Sequence, residues 1–260
     1  MSMPPPVFNP LGLNGRHFVV TGAASGIGRA TTVLLHKLGA KLSVVDRDAE
    51  GLATLCDEID PAGSVAGHAF DLGKTAEIGA LLDKIVARSG LLHGAVHCAG
   101  TQSITPVRTL SLDTWRDIIT LNTEAALALA KGIAGKKVYA GEHGSIIFIS
   151  SIMALAGSQG AVAYSASKAA LHGMARSLAL EFAPRKLRVN CVAPGFVCTP
   201  MFEKTERLWD EAQRAAVEAL HPLGFGQPED VANAVAFLAG DMGRWITGSV
   251  LIADGGYLAQ

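Results

Sequence analysis

The sequence predicts an α/β fold: a doubly wound parallel sheet of about seven strands, with helices on both faces, in a single domain. Short β-branched runs alternate along the chain with longer segments of helical period. The strand segments are apolar on both faces, as expected of parallel strands covered by two helical layers. A glycine-rich turn follows the first strand and opens a helix, which indicates a Rossmann-type sheet with its ligand at the carboxyl ends of the strands.

The predicted elements follow one another without a linker, a composition shift or an internal repeat. The predicted strands are His17–Thr21, Lys41–Asp46, Val65–Asp71, a segment within Leu91–Gly100, Gly144–Ser151, Leu187–Pro194 and Ser249–Asp254. The predicted helices are Gly26–Leu38, Ala49–Ile59, Thr75–Arg88, Leu112–Ile133, Val162–Phe182 and Pro228–Leu238, with a helical insertion over Pro200–Leu220. We therefore expect an extended Pro-rich arm over residues 1–12 and one domain over residues 13–260, with a substrate lid near residues 200–221.

The composition argues against nucleic acid, membranes and metal ions as partners of this protein. The 260 residues include 22 basic and 23 acidic side chains, a balance that gives no reason to expect nucleic acid or an anionic membrane. No apolar run approaches the roughly 20 residues of a membrane helix, and the N-terminus does not resemble a signal peptide. The 4 cysteines and 8 histidines lack metal-binding spacing, so we expect reduced, mostly buried thiols and no metal site. These observations favour a soluble, cytoplasmic protein with a small-molecule substrate.

The glycine-rich turn has a pattern typical of dinucleotide binding. TGAASGIG spans Thr21–Gly28, where missing side chains let the backbone approach a pyrophosphate and a helix N-terminus offers free N–H groups. Asp46 ends the second strand, where a carboxylate can accept hydrogen bonds from the adenosine ribose and would repel a 2′-phosphate. Arg47 stands beside it and would partly offset that repulsion. The sequence therefore favours NAD over NADP.

Four polar residues are candidates for catalysis. Tyr164 and Lys168 lie one turn apart on one helix face, where an ammonium would lower the tyrosine pKa from its usual value of about 10. Such a pair also occurs on the surfaces of many helices. Ser151, after Ser150 at the end of the fifth strand, either reaches a substrate oxygen or only caps the strand. Asn122 lies inside an apolar helix, although asparagine has a low helix propensity. Its presence there indicates a specific role, which the sequence does not identify.

Taken together, these residues make the chain resemble the short-chain dehydrogenase/reductase family from about Leu13 to Tyr257. Ser151 also stands at the spacing before Tyr164 that this family uses. The matching segments are TGAASGIG (Thr21–Gly28), Asp71-Leu72, Ala99-Gly100, Asn122, Ser151, YSASK (Tyr164–Lys168), RVNCVAPG (Arg188–Gly195) and TGSVLIADGG (Thr247–Gly256).

The resemblance implies a hydride transfer between a nicotinamide and an alcohol or ketone carbon. Tyr164 would give or take the proton on the substrate oxygen, and Ser151 would orient and polarise that oxygen. Lys168 would hold the nicotinamide ribose while lowering the Tyr164 pKa, and Asn122 would anchor a water that links Lys168 to solvent.

The resemblance also implies a set of cofactor contacts. Asp71 would meet the adenine with Leu72 beside it, Pro194, Gly195 and Val197 would flank the nicotinamide, and Thr199 would lie near its carboxamide. The full expected set is Gly22, Ser25, Gly26, Ile27, Gly28, Asp46, Asp71, Leu72, Cys98, Ala99, Gly100, Tyr164, Lys168, Pro194, Gly195, Val197 and Thr199.

Some alternatives stay open. The family usually has Asn-Asn-Ala-Gly where this chain has HCAG (His97–Gly100), which leaves the local hydrogen bonding and the adenosine contacts undecided. Cys98 is either a reactive thiol or, more in keeping with its place, a buried strand-end cysteine. The chain also broadly resembles NADPH-dependent 3-oxoacyl-(acyl-carrier-protein) reductases, although Ser25 replaces their usual basic residue. A third possibility is a protein that binds the cofactor without catalysing a reaction. The complete set of Asn122, Ser151, Tyr164 and Lys168 argues against it.

Two further expectations concern the lid and the assembly. The lid carries apolar side chains that favour a ligand with a hydrophobic portion, or that only pack the lid on the body: Met201, Phe202, Leu208 and Trp209. The long helices carry more small apolar residues than a monomer surface needs, and the family uses these helices as subunit interfaces, so a homotetramer is expected. Those residues are Ala125, Ala126, Ala128, Ala130, Ala169, Ala170, Ala175 and Ala179.

Overall fold

The computed structural model describes residues 10–60, 64–207 and 209–260. Most of the predicted N-terminal arm, and Leu208 of the predicted lid, lie outside the described residues. Among the described residues, no helix is long and apolar enough to cross a membrane. Within the same ranges, no group of three or more His, Cys, Asp or Glu side chains is placed to hold a metal ion.

The strands form one seven-stranded, wholly parallel sheet, which confirms the predicted fold class. They are β1 (His17–Thr21), β2 (Lys41–Asp46), β3 (Val65–Ala69), β4 (Gly94–His97), β5 (Gly144–Ile149), β6 (Leu187–Pro194) and β7 (Val250–Ala253). Their order is β3-β2-β1-β4-β5-β6-β7. The strand order reverses between β1 and β4, and this switch point is where a doubly wound sheet opens a ligand crevice.

The described residues form nine α-helices, and most of them cover the two faces of the sheet. They are α1 (Gly26–Lys37), α2 (Ala49–Ile59), α3 (Ile78–Ser89), α4 (Leu112–Ile119), α5 (Ala125–Ile133), α6 (Val162–Phe182), α7 (Pro200–Glu206), α8 (Glu211–Ala219) and α9 (Pro228–Ala239). Strand side chains alternate between the faces: Val19 packs in the core under α3, α5 and α6, whereas Phe18 and Val20 pack under α1, α2 and α9.

Three predicted boundaries differ from the structure for local reasons. The long predicted helix Leu112–Ile133 is interrupted by a π turn at Thr120–Glu124. The third strand ends at Ala69 instead of Asp71, because the Asp71 carboxylate accepts the Gly73 N–H at 2.9 Å and bends the chain. The fifth strand ends at Ile149, since Ser151 caps a short 3-10 turn.

Candidate active site

The turn between β1 and α1 is packed so tightly that glycine is required in it. Gly22 has a φ of +66°, and a Cβ there would lie 2.8 Å from the Ala99 nitrogen. A Cβ on Gly28 would lie 2.0 Å from the Gly22 carbonyl oxygen. Ser25 is the N-cap of α1, but its side chain makes no capping hydrogen bond, so it leaves the first N–H groups of the helix to other partners. This bare backbone fits the pyrophosphate of a dinucleotide.

Asp46 stands beside this turn at the carboxyl end of β2. Its two carboxylate oxygens accept the N–H groups of Ala24 and Asp48, each at 3.1 Å. Arg47, whose charge could offset that of Asp46, is exposed. The carboxylate is thus fixed by backbone donors at the end of the sheet where the adenosine ribose of a dinucleotide would lie.

The ends of β4 and β6 complete the same edge of the sheet. A Cβ on Gly100 would lie 3.1 Å from Asn122 Oδ1 and 3.3 Å from Lys168 Nζ. A Cβ on Gly195 would lie 2.9 Å from the Asp254 Cα. Glycine at these two positions therefore lets Asn122 and Lys168 pack close to the end of β4, and Asp254 close to the end of β6.

The loop after β6 lies against the glycine-rich turn. The methyl carbon of Thr199 would be 3.2 Å from a Cβ on Gly26, and the Thr199 hydroxyl caps α7 by accepting the Phe202 N–H at 3.2 Å. Pro194 is the last residue of β6, and Val197 is buried. The residues expected around the nicotinamide thus lie beside those expected around the pyrophosphate.

Three other expected cofactor contacts lie beside the apolar core. Asp71 and Leu72 follow β3, and Leu72 is buried in the core. Ile27, in the first turn of α1, packs against the core under α1, α2 and α9. Leu72 and Ile27 therefore take part in the apolar packing on the two sides of the sheet.

The cysteines are less buried than expected. Cys191 is buried, Cys56 and Cys98 are half-buried, and Cys198 is exposed. Burial raises the pKa of the Cys98 thiol to about 12. A thiol that holds its proton so firmly is a poor nucleophile, which supports a packing role for Cys98.

Tyr164 and Ser151 meet at the centre of the crevice. Ser151 leaves the end of β5, where its hydroxyl also accepts the Met153 N–H at 3.1 Å. Tyr164 lies in the first turn of α6, close enough to Ser151 for the serine hydroxyl to lower the Tyr164 pKa. Two hydroxyls are therefore placed side by side, as the polarisation of one substrate oxygen requires.

Lys168 is buried below this pair. Its ammonium donates to the Ile149 carbonyl at 2.8 Å and lies 5.7 Å from the centre of the Tyr164 ring. Burial lowers the pKa of Lys168 to about 8, although the nearby thiols of Cys98 and Cys191 act in the opposite direction. Lys168 therefore loses its proton far more readily than an exposed lysine.

The Tyr164 pKa differs from the sequence-based expectation. Burial raises this pKa above 10, and the nearby Ser151 hydroxyl only partly opposes the rise. The expected lowering by Lys168 does not dominate, because the lysine is directed to the Ile149 carbonyl and its own charged form is disfavoured by burial. Ser151 is thus the protein group that stabilises the phenolate in this arrangement.

Asn122 is fully buried in the π turn, which explains how an asparagine is accommodated inside a helix. Its Oδ1 accepts the Thr101 N–H at 2.8 Å, and its Nδ2 donates to the Thr101 carbonyl at 2.9 Å and to Ser167 Oγ at 2.9 Å. The side chain therefore joins the loop after β4 to α6. It positions the loop that borders Lys168.

Sequence reasoning missed a buried link between β1 and β4. The Thr21 hydroxyl lies 3.0 Å from His97 Nδ1 and accepts the Ala99 N–H at 3.2 Å. Burial lowers the pKa of His97 to about 3, so its ring is neutral and can accept from Thr21. The sequence does contain a signal for this link. His97 occupies the first position at which the chain departs from the family's Asn-Asn-Ala-Gly.

The predicted lid consists of α7 and α8 and packs on an aromatic cluster. Ring centroids within the cluster are 5.0 to 6.3 Å apart. The lid also contacts the loop after β4, where Gln102 Nε2 donates to Thr205 Oγ1 at 2.8 Å. The cluster joins this segment to the loop after β6 and to the C-terminal turn, and its members are Phe196, Phe202, Trp209, His221, Phe225 and Tyr257.

Comparison with known proteins finds relatives over nearly the whole chain. Residues 22–258 match the family model described as enoyl-(acyl carrier protein) reductase. A 3-oxoacyl-(acyl-carrier-protein) reductase of Thermotoga maritima is 35% identical over 246 residues, which are 94% of this chain and 98% of that protein. The chain belongs to the short-chain dehydrogenase/reductase family.

Other relatives act on other substrates. The D-threitol dehydrogenase of Mycolicibacterium smegmatis is 34% identical over 94% of each chain. A structure of a protein assigned as an NAD(P)-dependent gluconate 5-dehydrogenase from Beutenbergia cavernae, with NADP bound at low occupancy, has a TM-score of 0.90 and 34% identity. This structural match covers 96% of this chain and 100% of the Beutenbergia cavernae chain. The chain is thus an oxidoreductase of the class that acts on CH–OH groups.

Proposed function

We propose that this protein is an NAD(H)-dependent dehydrogenase or reductase that interconverts a secondary alcohol and a ketone. The observation that carries the proposal is the meeting of Ser151 and Tyr164 above a buried Lys168, beside a glycine-rich turn that fits a pyrophosphate. When bound, the nicotinamide cofactor supplies or accepts the hydride.

The protein's own groups would supply binding, orientation and proton transfer. The hydroxyls of Ser151 and Tyr164 would both donate to the ketone oxygen, which polarises the carbonyl. Tyr164 would give its phenolic proton to that oxygen during reduction and would take the proton back during oxidation. Lys168 would hold the cofactor ribose beside them, as the resemblance implies. Asn122 would act here through Thr101, whose backbone it binds.

The carboxylate of Asp46 supports NAD(H) as the cofactor. Its position next to the turn would place a negative charge where NADP carries its 2′-phosphate. The alternative is an NADPH-dependent 3-oxoacyl-(acyl-carrier-protein) reductase, and the Thermotoga maritima relative favours it. The neighbour solved with NADP also keeps this alternative open.

The lid supports a substrate with a hydrophobic portion. Phe202 is buried in the aromatic cluster, whereas Met201 is exposed and Trp209 is only partly buried. The exposed parts of these side chains would cover an apolar part of a ligand when the lid meets the crevice.

We also propose that the protein is a homotetramer, on a different basis from the one expected. Most of the alanines on α5 and α6 face the protein's own core; Ala125, Ala126, Ala130, Ala175 and Ala179 are buried there. Large apolar side chains that stay exposed give better support for subunit contacts. They include Leu112, Leu127, Leu180 and Trp245.

Cofactor titration followed by turnover tests the proposed function. Fluorescence titration with NADH and NADPH would establish the preference, and a panel of secondary alcohols and ketones would then test turnover. We expect tighter binding of NADH and activity on some members of the panel. Preference for NADPH would support the alternative reductase instead, and binding of neither cofactor would contradict the proposed function.

A further inference from the structure

A histidine that the catalytic set does not include lies on the same face of α6 as Tyr164 and Lys168. His172 follows Lys168 by one helical turn, as Lys168 follows Tyr164. It is 6% exposed, and burial together with the charge of Arg176 lowers its pKa. The imidazole is thus held neutral inside the protein, with one ring nitrogen free to donate and the other to accept.

The partner of His172 is Ser150, the residue before the candidate catalytic serine. Ser150 Oγ lies 2.7 Å from His172 Nε2 and 3.2 Å from the Lys168 carbonyl oxygen. Ser150 is only 2% exposed. A buried hydroxyl loses considerable free energy when it has no hydrogen-bond partner, so this pair holds the strand end firmly to the helix.

The end of β5 is therefore attached to α6 at two successive residues, and the next residue faces Tyr164. The Ile149 carbonyl accepts from Lys168, Ser150 bonds His172, and the Ser151 hydroxyl lies near that of Tyr164. The attachment of Ser150 precedes Ser151 by a single peptide unit. A shift of Ser150 would consequently move the Ser151 hydroxyl relative to the Tyr164 hydroxyl.

We propose that His172 is a positioning residue, which holds Ser150 so that the end of β5 presents the Ser151 hydroxyl to the Tyr164 hydroxyl. The inference rests on the proposed function of Tyr164 and Ser151. His172 would touch neither substrate nor cofactor and would act through Ser150 alone.

A second buried histidine–serine pair provides a matched control. His17 Nε2 lies 2.9 Å from Ser43 Oγ, and His17 is 2% exposed. This pair joins β1 to β2, and His17 is the first residue of its strand, at the opposite end from the crevice. His17→Leu removes the same kind of hydrogen bond as His172→Leu without touching the attachments of β5.

The first readout is the ionisation of Tyr164, which needs no substrate. The chain has three tyrosines, so the near-ultraviolet titration of each protein, minus that of its Tyr164→Phe counterpart, isolates this one residue. Because the nearby Ser151 hydroxyl lowers the Tyr164 pKa, His172→Leu should raise that pKa, and His17→Leu should not. His172→Gln retains a side chain that can bond Ser150 and should restore most of the original value.

The second readout is steady-state turnover. We expect His172→Leu to lower kcat about tenfold, with the KM for NADH nearly unchanged, because the geometry of proton transfer is altered and the cofactor contacts are not. Ser150→Ala should have a similar effect, and the double variant should be no worse than either single one.

The two readouts separate this inference from the proposed function. A wild-type protein that binds no cofactor and turns over nothing would contradict the proposed function, and the titration would still decide the role of His172. An unchanged Tyr164 pKa in His172→Leu, or an equal shift in His17→Leu, would overturn the inference.

Discussion

Asp46 is held by the backbone on both carboxylate oxygens, so its charge has a defined place at the edge of the crevice. Asp46→Ala should weaken NADH binding about tenfold or more, because a hydrogen bond to a charged group is worth roughly 1.5–3 kcal/mol. NADPH binding should improve, since the repulsion of its phosphate is removed. Fluorescence titration of both cofactors measures the change; unchanged discrimination would show that Asp46 does not contact the ribose.

The burial of Lys168 costs stability. Its pKa falls from 10.5 to about 8 on folding, because burial disfavours the ammonium. Lys168→Met should therefore stabilise the protein by roughly 1–3 kcal/mol near neutral pH. The same variant should bind NADH more weakly.

The size of this effect depends on pH. Below about pH 8 both the folded and the unfolded chain hold the Lys168 proton, so burial of the ammonium destabilises the wild-type protein to its full extent. Between about 8 and 10.5 the unfolded chain binds more protons, and wild-type stability rises with pH. The advantage of Lys168→Met in thermal unfolding should shrink across that window; an advantage that does not change with pH would contradict this account.

The candidate catalytic residues could be predicted because each occupies a local pattern that survives in the linear sequence. Tyr164 and Lys168 are neighbours on one helix, and Ser151 follows the end of β5 by two residues. The buried pair of Thr21 and His97 could not be predicted in the same way, since it joins two strands that are distant in sequence. The Tyr164 pKa also depends on burial, which no spacing reveals.

Among whole helices and strands, the parallel strands were the most predictable, because continuous β-branched runs are distinctive of buried strands. The π turn at Thr120–Glu124 was not predicted. Helical periodicity runs through it on both sides, and only tertiary contacts of Asn122 with Thr101 and Ser167 favour the wider turn. Strand ends were displaced by side-chain caps, which apolar patterns do not encode.

The junction of β1 and α1 gives a prediction about these elements. Gly28→Ala places a methyl group where the Gly22 carbonyl oxygen lies, so the turn and the helix must move apart. We expect a loss of about 1–3 kcal/mol in unfolding free energy together with weaker NADH binding. Gly79→Ala in α3, where a Cβ would meet nothing within 4 Å, is the matched control and should leave NADH binding unchanged. Similar effects of both substitutions would count against a tightly packed turn.

In the molecule as a whole, several large apolar side chains stay exposed to solvent when the chain is alone. Trp245 is 96% exposed and Leu180 is 79% exposed. We expect light scattering to give the mass of a tetramer at micromolar concentration. Trp245→Glu or Leu180→Glu should shift the mass towards smaller species if those side chains lie between subunits. A monomeric wild-type protein would contradict the proposed assembly.

The central claim is that Tyr164 transfers the proton that accompanies hydride transfer, and Tyr164→Phe tests it most directly. The substitution removes one hydroxyl and little binding surface. We predict that kcat falls by about a hundredfold or more, the usual contribution of general acid–base catalysis, while the affinity for NADH stays within about twofold. A variant that retains turnover, or that loses NADH binding along with turnover, would contradict the role assigned to Tyr164.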